Sequence, residues 1–379
     1  MTTRQLSEFG NFKCFKSRCS FRSLTTLSAL AACAAALAVA PTARAQSCVG
    51  DLNGDRIVNG SDLGILLGQW KQVGTGDLDG NGVVDGADLG IMLGAWGRCA
   101  VTVPSWATLV EAMPDPAVVT DSALRAAIRV SGLAWRVRDN GTNIEMLLIP
   151  SGTFSMGCSA SNLYGCFSNE NPKHQVTLTN SFYMGRYEVT QSQWVAKMGS
   201  NPSFFVPANG YSSDTTKPVE SLSWDMIAST GGFMPLTGLR LPTEAEWEYA
   251  YRAGTITAFH SYPAQPTGFN DDTLLGNIAW FNPVGGSQTH AVGGKYANAL
   301  GLHDMSGNVL EWCEDWYSSL YYASSPLINP TGPTTGTSHV LRGFSPTAYE
   351  SSHYCRSSYR RGVYFGTPEF LGFRVARNP

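Results

Sequence analysis

Apolar residues recur at two spacings along this chain. Met146–Ile149 is an unbroken apolar run, and Val176, Leu178, Phe182 and Met184 fall at even spacing, which is the period of a strand. Elsewhere the period is helical and opens on a cap. Thr190 with Gln193 forms a capping box ahead of Trp194, Val195 and Met198, and Gly199 ends the run. Ser223 caps a start at Trp224. Thr243 with Glu246 forms a second box, and Trp247, Ala250 and Tyr251 share one face until Gly254. Asp121–Val130 reads as one further short helix. Short strands and short capped helices therefore alternate with turns.

Nearer the N-terminus the pattern repeats itself. GDLNGDRIVNGSDLGILLGQW recurs 26 residues later as GDLDGNGVVDGADLGIMLGAW, within Val49–Gly97. Each copy reads as an EF-hand calcium loop with a shortened last ligand. Asp51, Asn53, Asp55, Asn59 and Asp62 occupy loop positions 1, 3, 5, 9 and 12, with the carbonyl of Ile57 at position 7. Asp77, Asp79, Asn81, Asp85, Asp88 and the carbonyl of Val83 do the same in the second copy. Gly82 supplies the sharp bend at position 6, where the first copy has Arg56 and is expected to be more strained. Leu63, Leu66 and Leu67, and then Leu89, Met92 and Leu93, follow each loop at helical spacing. This pair resembles a type I dockerin, which implies Ca²⁺ and a cohesin-like receptor.

Ahead of the repeat, Lys13, Lys16, Arg18 and Arg22 precede an apolar run from Leu24 to Ala40. Ala43-Arg44-Ala45 then offers an A-x-A cleavage site. Residues 1–45 read as a signal peptide and predict a product secreted to the periplasm or cell surface. The run is too short and alanine-rich to predict a membrane span. Cleavage would remove six basic residues and one acidic residue, taking the net charge from −3 to −8 and leaving no nucleic-acid footprint. Six cysteines remain, an even number that favours disulfides in an exported chain. Fifteen pairings are open, and position favours Cys48–Cys99, Cys158–Cys166 and Cys313–Cys355.

Charged residues make up 15% of the chain, while 40 glycines and 20 prolines point to a loop-rich, tightly turned domain with an aromatic core. Pro104, Pro114 and Pro116 mark 100–131 as a linker. The densest chemistry lies in Gly301–Trp316, GLHDMSGNVLEWCEDW. Asp304, Asn308, Glu311 and freed backbone carbonyls form an oxygen set that suits a hard cation such as Ca²⁺. Gly307 is expected to turn the chain with a positive φ. In the helix after Thr243, Glu244, Glu246 and Glu248 imitate acid–base residues, but capping and the helix dipole account for the first two. Arg240 and Arg252 are their expected partners.

RLPTEAEWEYA followed by GLxDMSGNVxEW resembles the formylglycine-generating enzyme, or sulfatase-modifying factor, family. MLLIPSGTFSMG, RYEVTQSQW and PVESLSW upstream, and NPTGP, VLRGFS, CRSSYR and LGFRV downstream, keep the family's order from about Gly132 to Asn378. The resemblance implies an α+β, loop-rich, C-type-lectin-like domain over 132–379, beside a small all-α EF-hand-like module over 48–99. It also implies calcium ligands: the side chains of Asp304 and Glu311 and the carbonyls of Gly307 and Val309. Asn277 and Ile278 match a second calcium stretch whose later acidic ligand has no counterpart in 283–294.

Active members of that family hold copper(I) on two cysteines in a Cys-x4-Cys pattern and convert a sulfatase cysteine in a C-x-P-x-R motif to formylglycine. Here Ala348 and His353 stand at those positions, and Cys355 falls two residues late. A soft metal needs the pair of soft sulfur ligands, and Cys355 alone does not supply it. No H-E-x-x-H, G-x-S-x-G, P-loop or dinucleotide fingerprint is present, and the histidine-rich domain of iron-dependent relatives is missing. The sequence therefore favours a secreted, calcium-stabilised recognition domain. An active oxidase using copper on an exported sulfatase peptide, with Cys355 as its catalytic cysteine, is the alternative.

Overall fold

In a computed structural model the residues described are 48–159, 165–282, 284–344, 352–363 and 370–379. The expected leader with its expected cleavage site, and Ala348, fall outside them. At the N-terminal end, β1 (Ile57–Val58), α1 (Gly60–Gly68), α2 (Gly86–Gly94) and β2 (Gly97–Arg98) form a small unit. The last strand pairs antiparallel with the first, so this part is not purely helical as expected. The capping residues Asn59 and Asp85 bond the first turns of the two helices, each in a reciprocal box with the acid three residues on. Val58, Leu66, Val84 and Met92 make its core.

The chain continues through β3 (Ala107–Glu111), α3 (Ser122–Val130), β4 (Arg136–Asp139) and β5 (Glu145–Ile149). The next elements are β6 (Gly152–Met156), β7 (His174–Leu178) and β8 (Phe182–Gly185), then α4 (Gln191–Met198). Three further helices follow: α5 (Trp224–Ala228), α6 (Phe233–Thr237) and α7 (Glu244–Arg252). The last strands are β9 (Leu310–Trp316), β10 (His339–Gly343), β11 (Leu371–Gly372) and β12 (Ala376–Arg377). A five-stranded antiparallel sheet runs β12-β8-β5-β4-β3, and a second sheet runs β10-β9-β11 with β9 at its centre.

Residues 100–131 are therefore not a linker. Strand β3 pairs with β4 as the sheet edge, and Val119 and Ile128 lie fully buried in the main core. The prolines only bracket these elements. The even spacing from Val176 to Met184 also breaks in two, because β7 pairs with β6 while β8 pairs with β5.

All three helix starts argued from capping are present. Thr190 and Gln193 bond reciprocally, Ser223 accepts from the amide of Met226, and Thr243 and Glu246 bond reciprocally. The last helix ends at Ala253, left-handed at φ 45°, one residue before the expected glycine. Trp247, Ala250 and Tyr251 have no exposed surface, and Trp194 stacks on Phe233 at 5.6 Å inside the same core. No helix of the described residues is long and apolar enough to cross a membrane.

Among the described residues five buried arginines have acid partners, and the residue pattern announced only Arg252. Arg356 pairs with Glu170 at 2.7 Å, Arg360 with Glu244 at 2.6 Å, Arg374 with Glu311 at 2.6 Å, and Arg342 with Glu248. Arg240–Glu246 and Arg252–Glu248, both 2.7 Å, match the expected partners, whereas Glu244 is held by Arg360. Burying such pairs gains little net energy, but each acid depends on its arginine.

Candidate metal and catalytic sites

The two acidic loops repeat one hydrogen-bond plan. Asp62 accepts from the amides of Leu52 (2.8 Å), Asn53 (3.1 Å) and Asn59 (2.9 Å). Asp88 accepts from Leu78 (2.6 Å), Asp79 (3.1 Å) and Asp85 (2.8 Å). The Asp85 amide leads the bonds that hold the Asp88 carboxyl below its usual range. Asp51 and Asp77 each accept three amides of their own loops, while the side-chain oxygens of Asp55 and Asn81 take those of Ile57 and Val83. Carboxylate oxygens of Asp77, Asp79 and Asp88 lie within 4.8 Å of one another. At position 6 Arg56 is left-handed at φ 65°, against 95° for Gly82. Its guanidinium donates to the carbonyl of Ala100 at 2.7 Å, which ties this strained residue down.

The second site is a buried knot of carboxylates around β9. Gly307 does not carry the positive φ; Asp304 (59°) and Asn308 (77°) do. What requires glycine at 307 is close approach, because a Cβ there would run into the carbonyl oxygen of Trp280. The resulting turn buries Asp304, whose Oδ2 accepts from the Gly293 amide at 2.6 Å while Oδ1 is enclosed without a hydrogen-bond partner.

Asn308 donates to Glu188 at 2.7 Å and the Val309 amide donates to the same carboxylate at 3.0 Å. Glu311 accepts from Trp247 Nε1 (2.7 Å) and from Arg374 Nε (2.7 Å) and Nη2 (2.6 Å). Burial, then the charges of Asp304 and Glu311, push Glu188 well above the usual carboxylate range. Burial likewise lifts Asp304 to about 6. Three buried carboxylates thus share one buried guanidinium, and without a further cation the crowding favours the protonated forms of Glu188 and Asp304.

Glu188 was missed by sequence reasoning. It lies in RYEVT, a stretch with no local acid pattern, and it meets Asn308 only through a separation of 120 residues.

Asn277 and Ile278 have different surroundings. The Asn277 side chain donates to Tyr262 at 3.2 Å, its carbonyl accepts from Tyr296 at 3.0 Å, and Ile278 is fully buried. Lys295 Nζ donates to the neighbouring Gly276 carbonyl at 2.6 Å and sits 3.9 Å over the ring of Trp280. A fixed ammonium thus stands beside the stretch that resemblance marks for calcium.

Disulfides join Cys48 to Cys99 and Cys158 to Cys166, as expected. The third expected bond does not form, and Cys313 and Cys355 are both free and buried. The cause is topological. Cys313 lies on β9 in the main core, whereas Cys355 packs with Phe259, Phe269, Phe281 and Phe344 in a separate cluster. Burial raises both thiols well above their ordinary value, away from the thiolate that binds metal. The His353 ring packs at a tilt against Phe167 at 5.1 Å and Tyr354 at 4.0 Å. Among the described residues neither cysteine belongs to a group of three His, Cys, Asp or Glu ligand atoms. The donors present do not fit copper(I) held on two thiolates.

A family model described as the sulfatase-modifying factor enzyme 1-like domain matches residues 133–379. The formylglycine-generating enzyme of Streptomyces coelicolor is 36% identical over 170 residues, covering 42% of this chain and 52% of that protein. The chain thus spans about half the length of that relative. The chaperone protein LppX of Paenibacillus barcinonensis is 30% identical over 241 residues, covering 50% of this chain and 78% of that protein. Among solved structures, Treponema denticola variable protein 1 aligns with a TM-score of 0.52 at 31% identity, covering 62% of this chain and 95% of that one. PvdO of Pseudomonas aeruginosa aligns with a TM-score of 0.52 at 25% identity, covering 64% and 98% respectively. Through residues 133–379, this chain belongs to the sulfatase-modifying factor family.

Proposed function

We propose that the large domain is a calcium-stabilised recognition domain that keeps the family fold without the copper oxidase site. The observation that carries this reading is the donor set at the expected copper position. Ala348, at the first position, has no ligand atom, His353 at the second offers only an imidazole, and Cys355, two residues late, is the one nearby thiol, buried and pushed up. Calcium is the reading for the turn around β9 because the enclosed Oδ1 of Asp304 has no partner there, although Asp304, Glu188 and Glu311 do not gather three ligand atoms within 4.8 Å among the described residues. Asp304 and Glu188 would hold it, with carbonyls of Gly307 and Val309. Glu311 keeps a lone pair on Oε1 beyond its single bond there. Bound calcium would favour the ionised carboxylates and fix the turn.

The N-terminal repeat is read as a dockerin-like calcium module that tethers the protein to a cohesin-like receptor after export. Its duplicated carboxylate loops support calcium. The equivalent leucines Leu67 and Leu93, 50% and 54% exposed, support a partner on the helices.

The second reading is an active formylglycine-generating oxidase. It is favoured by the name of the Streptomyces coelicolor relative. Incubation of copper-loaded protein with O₂, reductant and a C-x-P-x-R peptide separates the two. An unchanged peptide with calcium still bound supports recognition, and an aldehyde product supports catalysis.

A further inference from the structure

A cleft of about 670 Å³ opens beside Asn277, away from the cysteines, and Arg186, Tyr262, Lys295, Tyr296 and His303 line it. That volume lies in the range of about 300–1,000 Å³ typical of small-molecule sites. Its wall is rich in positive charge although the chain as a whole carries −3. Arg186 reaches Glu145 at 2.7 Å, but Arg136 (3.2 Å) and Arg138 (3.7 Å) share that same carboxylate. Glu111, 3.5 Å from Arg136, offsets only part of the excess. The Nε of Arg186 is buried with no acceptor. Among the described residues Lys295 makes no ion pair: it bonds the Gly276 carbonyl and covers Trp280, and the acid acting on it is the buried Asp304.

The remaining lining adds an acceptor and a flat face. His303 Nδ1 lies 2.9 Å from the carbonyl oxygen of Lys295. A carbonyl only accepts, so Nδ1 carries the proton and Nε2 presents a lone pair. Tyr262 and Tyr296 stack at 5.5 Å, and Tyr296 is 54% exposed, leaving one ring face open. Tyr262 accepts from Asn277, so its own hydroxyl proton is free to donate.

We propose that this cleft binds a small acidic sugar, a hydroxylated ring bearing a carboxylate or sulfate. Arg186 and Lys295 take the anionic group, His303 Nε2 accepts from a ring hydroxyl, and the ring lies on Tyr296. The cleft shares Asn277 with the second calcium stretch, but the anion and ring contacts use no side chain assigned to calcium around β9 and no thiol.

Isothermal titration of the full chain with glucuronate, glucose 6-sulfate, glucose, sodium acetate and sodium sulfate tests it. One equivalent of glucuronate or of the sulfated sugar is expected to bind, the tighter of the two identifying the anion. Glucose should bind at least tenfold more weakly. Lys295→Met and Tyr296→Ala should each weaken binding at least tenfold. Tyr296→Ala removes an exposed ring, so its melting temperature should be unchanged. The proposal is overturned if neither acidic sugar binds, if glucose binds equally, if acetate or sulfate alone accounts for the affinity, or if both variants bind as the parent does.

Discussion

Arg374 grips Glu311 with two nitrogens, Nε on Oε2 at 2.7 Å and Nη2 on Oε1 at 2.6 Å, wholly inside the protein. Because this pair is matched, the unmatched carboxylates beside β9 are those of Glu188 and Asp304. Their crowding gives the calcium reading a pH signature. Folded Asp304 titrates near 6 against an ordinary 3.8. In calcium-free protein its stability term is intact below the unfolded value and is lost as pH rises through about 6. Two pH units correspond to about 3 kcal/mol. Calcium, which favours the ionised form, should therefore raise the melting temperature more at pH 7 than at pH 4.5. Asp304→Asn should flatten the calcium-free pH profile. Melts with and without chelator check this, and an equal calcium effect at both pH values would count against the site.

The N-terminal loops make a separate prediction. Asp88 accepts three backbone amides and caps α2 as the reciprocal partner of Asp85. Asp88→Ala should cost about 0.5–2 kcal/mol in cap energy and should weaken calcium at that loop at least tenfold, leaving the first loop intact. Calcium titration of the full chain, comparing parent with variant, measures both losses. Unaltered calcium affinity would remove the ligand assignment.

Thiol labelling checks the corrected cysteine pattern. Protein lacking residues 1–45, denatured but unreduced, should take up two labels, on Cys313 and Cys355, and in its native form none, because both are buried. A denatured chain that takes no label would restore the Cys313–Cys355 bond.

The buried arginines yield a stability prediction that needs no metal. Arg360 contacts Glu244 at 2.6 and 2.8 Å, and both side chains are buried. Arg360→Met leaves that carboxylate without its main partner and should destabilise the domain by about 3–5 kcal/mol. Denaturant unfolding measures the change. A loss below about 1 kcal/mol would mean that Arg342, 3.6 Å from Glu244, suffices alone.

Local signals proved legible. Capping chemistry placed the starts of α4, α5 and α7, and the 26-residue repeat placed two helices behind two equivalent loops. What escaped depends on contacts distant in sequence. Glu188 reads as an ordinary strand-end acid until Asn308 arrives from 120 residues away. Arg360, Arg356 and Arg374 find their acids across 116, 186 and 63 residues. Prolines misled the reading of 100–131, since they bracket β3 without preventing it from pairing with β4. At Gly307 the residue was singled out correctly but for the wrong reason. The constraint is the carbonyl of Trp280, and the left-handed backbone belongs to Asp304 and Asn308.

We propose that this domain recognises rather than oxidises, because neither expected copper position carries a sulfur and Cys355, two residues late, is a buried thiol. Mass spectrometry of a C-x-P-x-R peptide, incubated with copper-loaded protein, O₂ and reductant, tests that claim most directly. The account predicts a peptide of unchanged mass from both the parent and Cys355→Ser. An aldehyde-bearing product made by the parent and lost in Cys355→Ser would contradict it.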